Sequence, residues 1–213
     1  LDATKSNMLF AEKVIFVEGI AEQLLMPVFA DYLNKSLEEN HVSVINIGGR
    51  YFEHFLYLFD SKKETTINRK IVCITDLDPA QKEKNKEKAK FQKCYPFEMN
   101  ADPSKYDYEL NSIMDKYKDA VHPNIRSFTQ DKALGKTLEY QLAFENEKCK
   151  LLITPSLQNS AELNELMAMI EEGKPIADML SKLRGSDENE RIKDSITAIN
   201  QGIWSEEIKK NKR

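Results

Sequence analysis

Four consecutive apolar residues, Val14-Ile15-Phe16-Val17, run directly into Glu18-Gly19. Two similar stretches follow: Val42-Ser43-Val44-Ile45-Asn46-Ile47 stops at Gly48-Gly49, and Ile71-Val72-Cys73-Ile74 stops at Thr75-Asp76. Short runs that are almost wholly apolar and end at turn-forming or polar residues are typical of strands buried on both faces of a parallel sheet. The three runs therefore predict three strands of such a sheet.

Apolar residues at helical spacing separate these runs. The segment from Ile20 to Leu33 predicts one helix, which Pro27 is expected to kink because proline cannot donate the backbone hydrogen bond to the preceding turn. The segment from Tyr51 to Phe59 predicts a second helix, with Phe52, Phe55 and Phe59 in the core. Alternation of strands and helices favours an α/β fold with a mainly parallel sheet flanked by helices.

The pattern breaks after Asp78. Residues 79–123 are polar and rich in lysine, so we interpret them as an insertion, a loop with one helix around Tyr108–Tyr117. The later segments predict a strand at Asn124–Thr129, a helix at about Thr137–Glu145, an apolar run at Leu151–Ile153 and helices from Ser160 onward, the first ending at Gly173. The expected organisation is a core at residues 11–153 and a carboxyl-terminal helical region at residues 156–205.

Four acidic residues stand where two predicted strands end. Glu18 follows the first strand and Glu22 comes one helical turn later, while Asp76 and Asp78 follow the third strand. Sites in open α/β sheets form at the carboxyl ends of strands, and four carboxylates there would repel one another without a cation. Each acid alone could be a helix-start or turn residue. Together they predict a site for Mg²⁺ or Mn²⁺, which prefer oxygen ligands.

These strand ends resemble the Toprim domain, which topoisomerases, bacterial primases and OLD-family (overcoming lysogenization defect) nucleases share. The resemblance rests on Val17-Glu18-Gly19-Ile20-Ala21-Glu22 and on Thr75-Asp76-Leu77-Asp78. Glu22, and the later segment Gly135-Lys136-Thr137-Leu138-Glu139-Tyr140, are most similar to the OLD-family version. Pro79-Ala80 departs from the topoisomerase and primase form, which usually has a glycine soon after the second aspartate. The likeness covers about residues 10–185.

The resemblance implies a cytoplasmic DNA endonuclease, acting in phage defence, that hydrolyses phosphodiester bonds with one or two Mg²⁺ or Mn²⁺ ions. It implies that Glu18, Asp76, Asp78 and Lys174 act in catalysis. It adds Glu139 to Glu18, Glu22, Asp76 and Asp78 as metal ligands. It further implies DNA as partner, an amino-terminal ABC-type ATPase domain outside this chain, and a homo-oligomer formed through that domain. Three alternatives stay open: a topoisomerase- or primase-like activity, a haloacid-dehalogenase-like phosphatase using Asp76 and Asp78, and a catalytically dead Toprim docking module.

Composition narrows the choice of function less than the motifs do. No apolar run approaches the roughly 20 residues that span a bilayer, and three widely spaced cysteines fit a reducing cytoplasm. Gly135-Lys136-Thr137 ends like a phosphate-binding P-loop, but Gln130 replaces the required first glycine, so we expect no ATP site in this chain. The run Lys82–Lys93 is either a solvated surface or a flank that holds a phosphate backbone.

Net charge is compatible with a DNA partner. The chain has 31 basic and 35 acidic residues, and 30 acidic residues remain when the five predicted metal ligands are set aside. A bound cation would therefore cancel much of the acidic excess.

Overall fold

A computed structural model describes residues 3–111, 117, 122–145, 160–174 and 178 of the chain. The chain divides into two compact units, Leu1–Lys136 and Thr137–Arg213. The domain limits 11–153 and 156–205 stay a prediction. In chain order the described elements are α1 (Ala3–Phe10), β1 (Lys13–Val17), α2 (Ile20–Tyr32), β2 (Val42–Asn46), α3 (Phe52–Leu56), β3 (Lys70–Ile74), β4 (Ala80–Glu83), β5 (Gln92–Lys93), a 3₁₀ turn (Pro96–Glu98), β6 (Tyr106–Glu109), β7 (Ile125–Phe128), α4 (Leu138–Glu145) and α5 (Ser160–Glu171).

The first unit is built on a four-stranded parallel sheet in the order β2-β1-β3-β7. This arrangement confirms the predicted α/β class, including the fourth strand at Asn124–Thr129. Val17 lies opposite Asn46 on one side and Ile74 on the other, so β1, β2 and β3 end level with one another. The carboxyl ends of three strands therefore open onto one edge of the sheet.

The core lies on the sheet face covered by α3 and the loop that follows it. Phe52 and Phe59 are fully buried, and the ring of Phe16 on β1 lies 5.9 Å from that of Phe55 and 6.0 Å from that of Phe59. The predicted phenylalanine stripe is thus confirmed as core. The helix there is shorter than predicted, because regular α-helix ends at Leu56.

Helix α2 connects β1 to β2 and continues through Pro27 as one element. The amide of Gln23 donates to the carbonyl of Val44 on β2 at 3.5 Å. Leu24 and Val28 on one stripe of α2, and Leu33 just after the helix, are apolar but exposed, and no residue of α2 is fully buried. The stripe therefore does not supply the core of the first unit, which aromatic residues and the strands fill instead.

The insertion forms a second, antiparallel sheet of three strands in the order β5-β4-β6. The predicted helix around Tyr108–Tyr117 is wrong at its start, because Tyr106–Glu109 is a strand paired with Ala80–Glu83. The alternation Tyr106-Asp107-Tyr108-Glu109 has the period of two that a half-exposed strand requires. Residues 112–116 lie outside the described part of the chain.

The second unit contains α4 and α5, which correspond to the helices predicted at about Thr137–Glu145 and from Ser160. Gly173 has φ +65°, and the backbone N–H of Lys174 donates to the carbonyl of Met169 at 3.0 Å, so the second helix ends where predicted. The run Leu151–Ile153 and the helices predicted after Pro175 lie outside the described residues. No helix within the described ranges is long and apolar enough to cross a membrane.

Candidate metal centre

The edge of the parallel sheet brings Glu18, Asp76 and Asp78 into one neighbourhood. Glu18 follows β1 and the two aspartates follow β3, the adjacent strand in register. The backbone N–H of Asp76 donates to Oε1 of Glu18 at 3.1 Å. The structure therefore brings these three predicted residues together at the ends of adjacent strands. Their chemical role stays a prediction.

One carboxylate oxygen of Glu18 accepts two hydrogen bonds. Oε1 accepts from the hydroxyl of Thr75 as well as from the backbone of Asp76. Burial raises the pKa of Glu18, and those two hydrogen bonds oppose the rise. The charge of Asp78 raises that pKa further, while Arg50 lowers it. With Oε1 occupied by protein donors, Oε2 is the atom that could meet a cation.

Asp76 is oriented by an amide from β7's end. Oδ1 accepts from the Nε2 amide of Gln130 at 2.7 Å, and Oε1 of Gln130 accepts from the backbone of Leu77 at 2.8 Å. Burial raises the pKa of Asp76 to about 7, Gln130 opposes the rise, and the charges of Glu18, Asp78 and Glu22 add to it. A cation at this position would relieve both the burial cost and the repulsion.

Asp78 faces two basic side chains. Its backbone has φ 43°, and its N–H donates to the carbonyl of Lys136 at 3.1 Å. Its carboxylate lies 3.6 Å from Nη1 of Arg50 and 3.7 Å from Nζ of Lys93. Both oxygens of Asp78 are therefore engaged by positive charges in this structure.

Glu22 lies in the first turn of α2 and bends back over Gly19. A Cβ built on Gly19 would lie 2.9 Å from Oε2 of Glu22, so the glycine leaves room for that carboxylate above the helix start. The charge of Glu22 also raises the pKa of Asp76, which places it in the same electrostatic cluster. Its predicted position beside the strand-end acids agrees with this geometry.

Thr75, Asn111 and Gln130 support the acids, although the sequence did not suggest them as site residues. The amide of Asn111 donates to the Thr75 hydroxyl at 3.0 Å and to the carbonyl of Asp76 at 2.9 Å. Gln130 is the second residue after β7, as Asp76 is the second after β3, so the strand-end rule could have found it. Asn111 comes from the end of the insertion, where no periodic signal pointed to it.

Gly135 has a packing role in place of the rejected P-loop role. A Cβ at this position would lie 2.1 Å from Cβ of Gln130 and 2.8 Å from the carbonyl oxygen of Asp131. The N–H of Gly135 also donates to that carbonyl at 2.7 Å, which closes the loop onto Gln130. The glycine therefore lets the segment behind Gln130 approach closely.

We expect Gly135→Ala to destabilise the protein by about 1–3 kcal/mol, the usual cost of overpacking, because a rotamer change cannot move Cβ of Gln130 or the Asp131 carbonyl. Urea unfolding in EDTA measures this loss. Gly19→Ala is the matched control, since its new methyl group meets only the flexible end of Glu22 and its φ of -136° suits alanine. Equal midpoints for the two variants would contradict the packing role.

Glu139 and Lys174 belong to the second unit. Glu139 is exposed in the first turn of α4. Lys174 is an exposed residue after α5, with Nζ 3.5 Å from Oε2 of Glu172. The predicted roles of Glu139 as a metal ligand and Lys174 in catalysis stay predictions.

The donor chemistry of the sheet edge fits Mg²⁺ or Mn²⁺, because Glu18, Glu22, Asp76 and Asp78 offer only carboxylate oxygen. Within the described ranges, no three His, Cys, Asp or Glu side chains converge as ready ligands. Glu18, Asp76 and Asp78 instead contact donors of the protein: Thr75, Gln130, Arg50 and Lys93. Metal binding at Asp78 would therefore require this carboxylate to exchange its two basic partners for the cation.

Comparison with known proteins agrees with the strand-end pattern. Residues 9–78 match the family described as "Overcoming lysogenization defect protein-like, TOPRIM domain", a segment that includes all four strand-end acids. Over residues 9–78 this match confirms the resemblance drawn from the sequence.

The solved structures to which the chain is similar include the carboxyl-terminal regions of two OLD proteins. The one from Burkholderia pseudomallei is 19% identical over 90% of this chain and 88% of that chain, with a TM-score of 0.41. The one from Xanthomonas campestris pv. campestris is 18% identical over 90% and 86%, with a TM-score of 0.44. No curated protein matches the chain.

Proposed function

We propose that the chain is a divalent-metal-dependent DNA endonuclease, because residues 9–78 match the OLD-like Toprim family and include the four strand-end acids. The match supports a nuclease-type Toprim function in general. The observation that carries the finer proposal is the cluster of Glu18, Asp76 and Asp78 at the ends of adjacent strands, where burial and mutual repulsion raise the pKa of Asp76 to about 7. Such a cluster is costly to keep unless a cation uses it.

The proposed ligands of one or two Mg²⁺ or Mn²⁺ ions are Glu18, Glu22, Asp76 and Asp78, with Glu139 from the second unit. When bound, such ions supply activation of a water molecule and neutralisation of charge on the phosphate. Thr75 and the backbone of Asp76 fix Glu18, and Gln130 fixes Asp76, so two of the acids are oriented before any ion arrives. Lys174 is proposed to offset charge on the phosphate or to protonate the leaving oxygen.

The chain is further proposed to be the catalytic part of an OLD-family ATPase-nuclease. Its partners would be DNA and an amino-terminal ABC-type ATPase domain through which the protein forms a homo-oligomer. These statements extend the family match.

Nicking of supercoiled plasmid tests the activity. We expect open-circular product with Mg²⁺ or Mn²⁺ and none with EDTA, because the phosphate needs a cation to offset its charge. Calorimetric titration with Mn²⁺ measures metal binding separately. Bound Mn²⁺ without cleavage in either metal would contradict the nuclease and favour a Toprim docking module. Absence of Mn²⁺ binding would contradict the metal centre itself.

A further inference from the structure

Two exposed basic residues from different parts of the first unit meet at Asp78. Nη1 of Arg50 lies 3.6 Å from Oδ2, and Nζ of Lys93 lies 3.7 Å from Oδ1. The side chains of Arg50 and Lys93 are 47% and 71% exposed, whereas that of Asp78 is 13% exposed. The acid is therefore largely covered, and the two cations form its solvent side.

Arg50 reaches this position through a turn that is tied to the site. Gly48 and Gly49 have φ +74° and +121°, of which the second is a conformation that L side chains rarely adopt. The N–H of Gly48 donates to Oδ1 of Asn46 at 2.8 Å, and the N–H of Gly49 donates to the carbonyl of Glu18 at 2.9 Å. The backbone leading to Arg50 is thus held by the same residue that begins the acidic cluster.

Lys93 reaches the site from the insertion. It lies on β5 opposite Ala80, and the next residue, Cys94, donates its N–H to the carbonyl of Pro79 at 2.9 Å. Among the described lysines of the run, Lys82 and Lys84 lie near Asp107 instead. Lys93 is therefore the member of the run that contacts an acid of the cluster.

The basic partners in these ion pairs are exposed, and an exposed basic side chain leaves an ion pair at little cost, so a divalent cation can replace them at Asp78. Arg50 and Lys93 would then keep their backbone positions but lose their acidic partner. Two positive side chains beside a metal centre are complementary in charge to the phosphates of a nucleic-acid backbone. A guanidinium can also bind a phosphate through two hydrogen bonds.

We propose that Arg50 and Lys93 bind DNA phosphates next to the bond that is cleaved, once a cation occupies Asp78. The proposal rests on the proposed nuclease function and names the residues that hold its substrate. In the structure the same two residues neutralise Asp78. They exchange a carboxylate for a phosphate as metal and DNA arrive together.

Fluorescence anisotropy of a labelled DNA duplex tests the proposal with the whole chain, in Ca²⁺ and across a range of NaCl concentrations. The Arg50→Gln/Lys93→Gln variant is expected to bind about tenfold more weakly at 0.1 M salt. The slope of its log affinity against log salt concentration should decrease in magnitude by about 2, because each phosphate contact contributes roughly 0.9 to that slope. Lys93→Gln alone should flatten it by about 1, and Arg50→Lys should keep the wild-type slope.

Lys35→Gln/Lys70→Gln is the matched control, since it also removes two exposed charges. Lys35 precedes β2 and Lys70 begins β3, so both lie toward the opposite edge of the parallel sheet. If the double variant at Arg50 and Lys93 binds DNA as tightly as this control, the proposal is overturned. Nicking of plasmid by the wild-type protein would then show that the nuclease function still stands. Wild-type protein that neither binds DNA nor nicks plasmid would overturn both. Mn²⁺ affinity should not fall in the Arg50 and Lys93 variant, whereas a fall would overturn the exchange at Asp78.

Discussion

An Asp76→Asn variant is expected to nick supercoiled plasmid at least about 100-fold more slowly than the wild type in Mg²⁺ or Mn²⁺. The substitution removes a negative charge where the proposed ions bind, and loss of one such electrostatic contribution costs on the order of 10²–10³ in rate. Asparagine keeps the size of the side chain, and its carbonyl oxygen can still accept the hydrogen bond from Gln130. The loss should therefore report chemistry at the site and not disturbed packing.

Initial rates of supercoil loss measure this effect, with calorimetric titration of Mn²⁺ as a second readout. Asp31→Asn is the matched control, because Asp31 is an exposed aspartate near the end of α2, away from the strand-end acids in sequence. The control should nick at the wild-type rate. If Asp76→Asn keeps that rate in both metals, Asp76 does not hold a cation for the reaction.

The same variant is expected to be more stable than the wild type when metal is absent and the pH is 8. Burial is the main reason that the pKa of Asp76 rises from 3.8 to about 7 in the folded protein. The folded state therefore holds a proton that the unfolded state releases, so the contribution of Asp76 to stability falls as the pH rises from about 4 to 7. About three pKa units correspond to a few kcal/mol, which asparagine would recover.

Thermal unfolding in EDTA between pH 5 and pH 8 measures this prediction. A few kcal/mol in a chain of this size corresponds to a shift of about 5–10 °C. The wild-type Tm should fall toward pH 8, Asp31→Asn should follow the wild type, and Asp76→Asn should show a flatter profile. Wild-type and Asp76→Asn curves that run parallel across this range would show that Asp76 is not a buried, protonated group in the folded protein.

The sequence predicted those parts of the fold and site that depend on short-range patterns. Continuous apolar runs predicted three of the four parallel strands, and the acids that follow two of these runs led to Glu18, Asp76 and Asp78 as candidates. Gln130 obeys the same rule after β7, yet it was considered only as a missing P-loop glycine. The strand-end pattern is therefore more informative here than the phosphate-loop motif.

Other site features depend on contacts across long sequence separations. Asn111 reaches Thr75 and Asp76 only because the insertion folds into an antiparallel sheet, and its short strands resemble a polar loop in the sequence. Arg50 reaches Asp78 through the conformation of two glycines, which composition and periodicity do not specify. Local patterns thus located the acids, while the residues that orient and neutralise them required the three-dimensional structure.

The way the insertion is attached has a practical consequence for labelling the protein. It is anchored beside the acids at two points, through Lys93 and Cys94 near β5 and through Asn111 after β6. The connection between β4 and β5, residues 84–91, is mostly exposed and lies at the far end of the pairing between Ala80 and Lys93. This connection is therefore a suitable place for a peptide tag or a fluorophore that leaves the sheet edge intact.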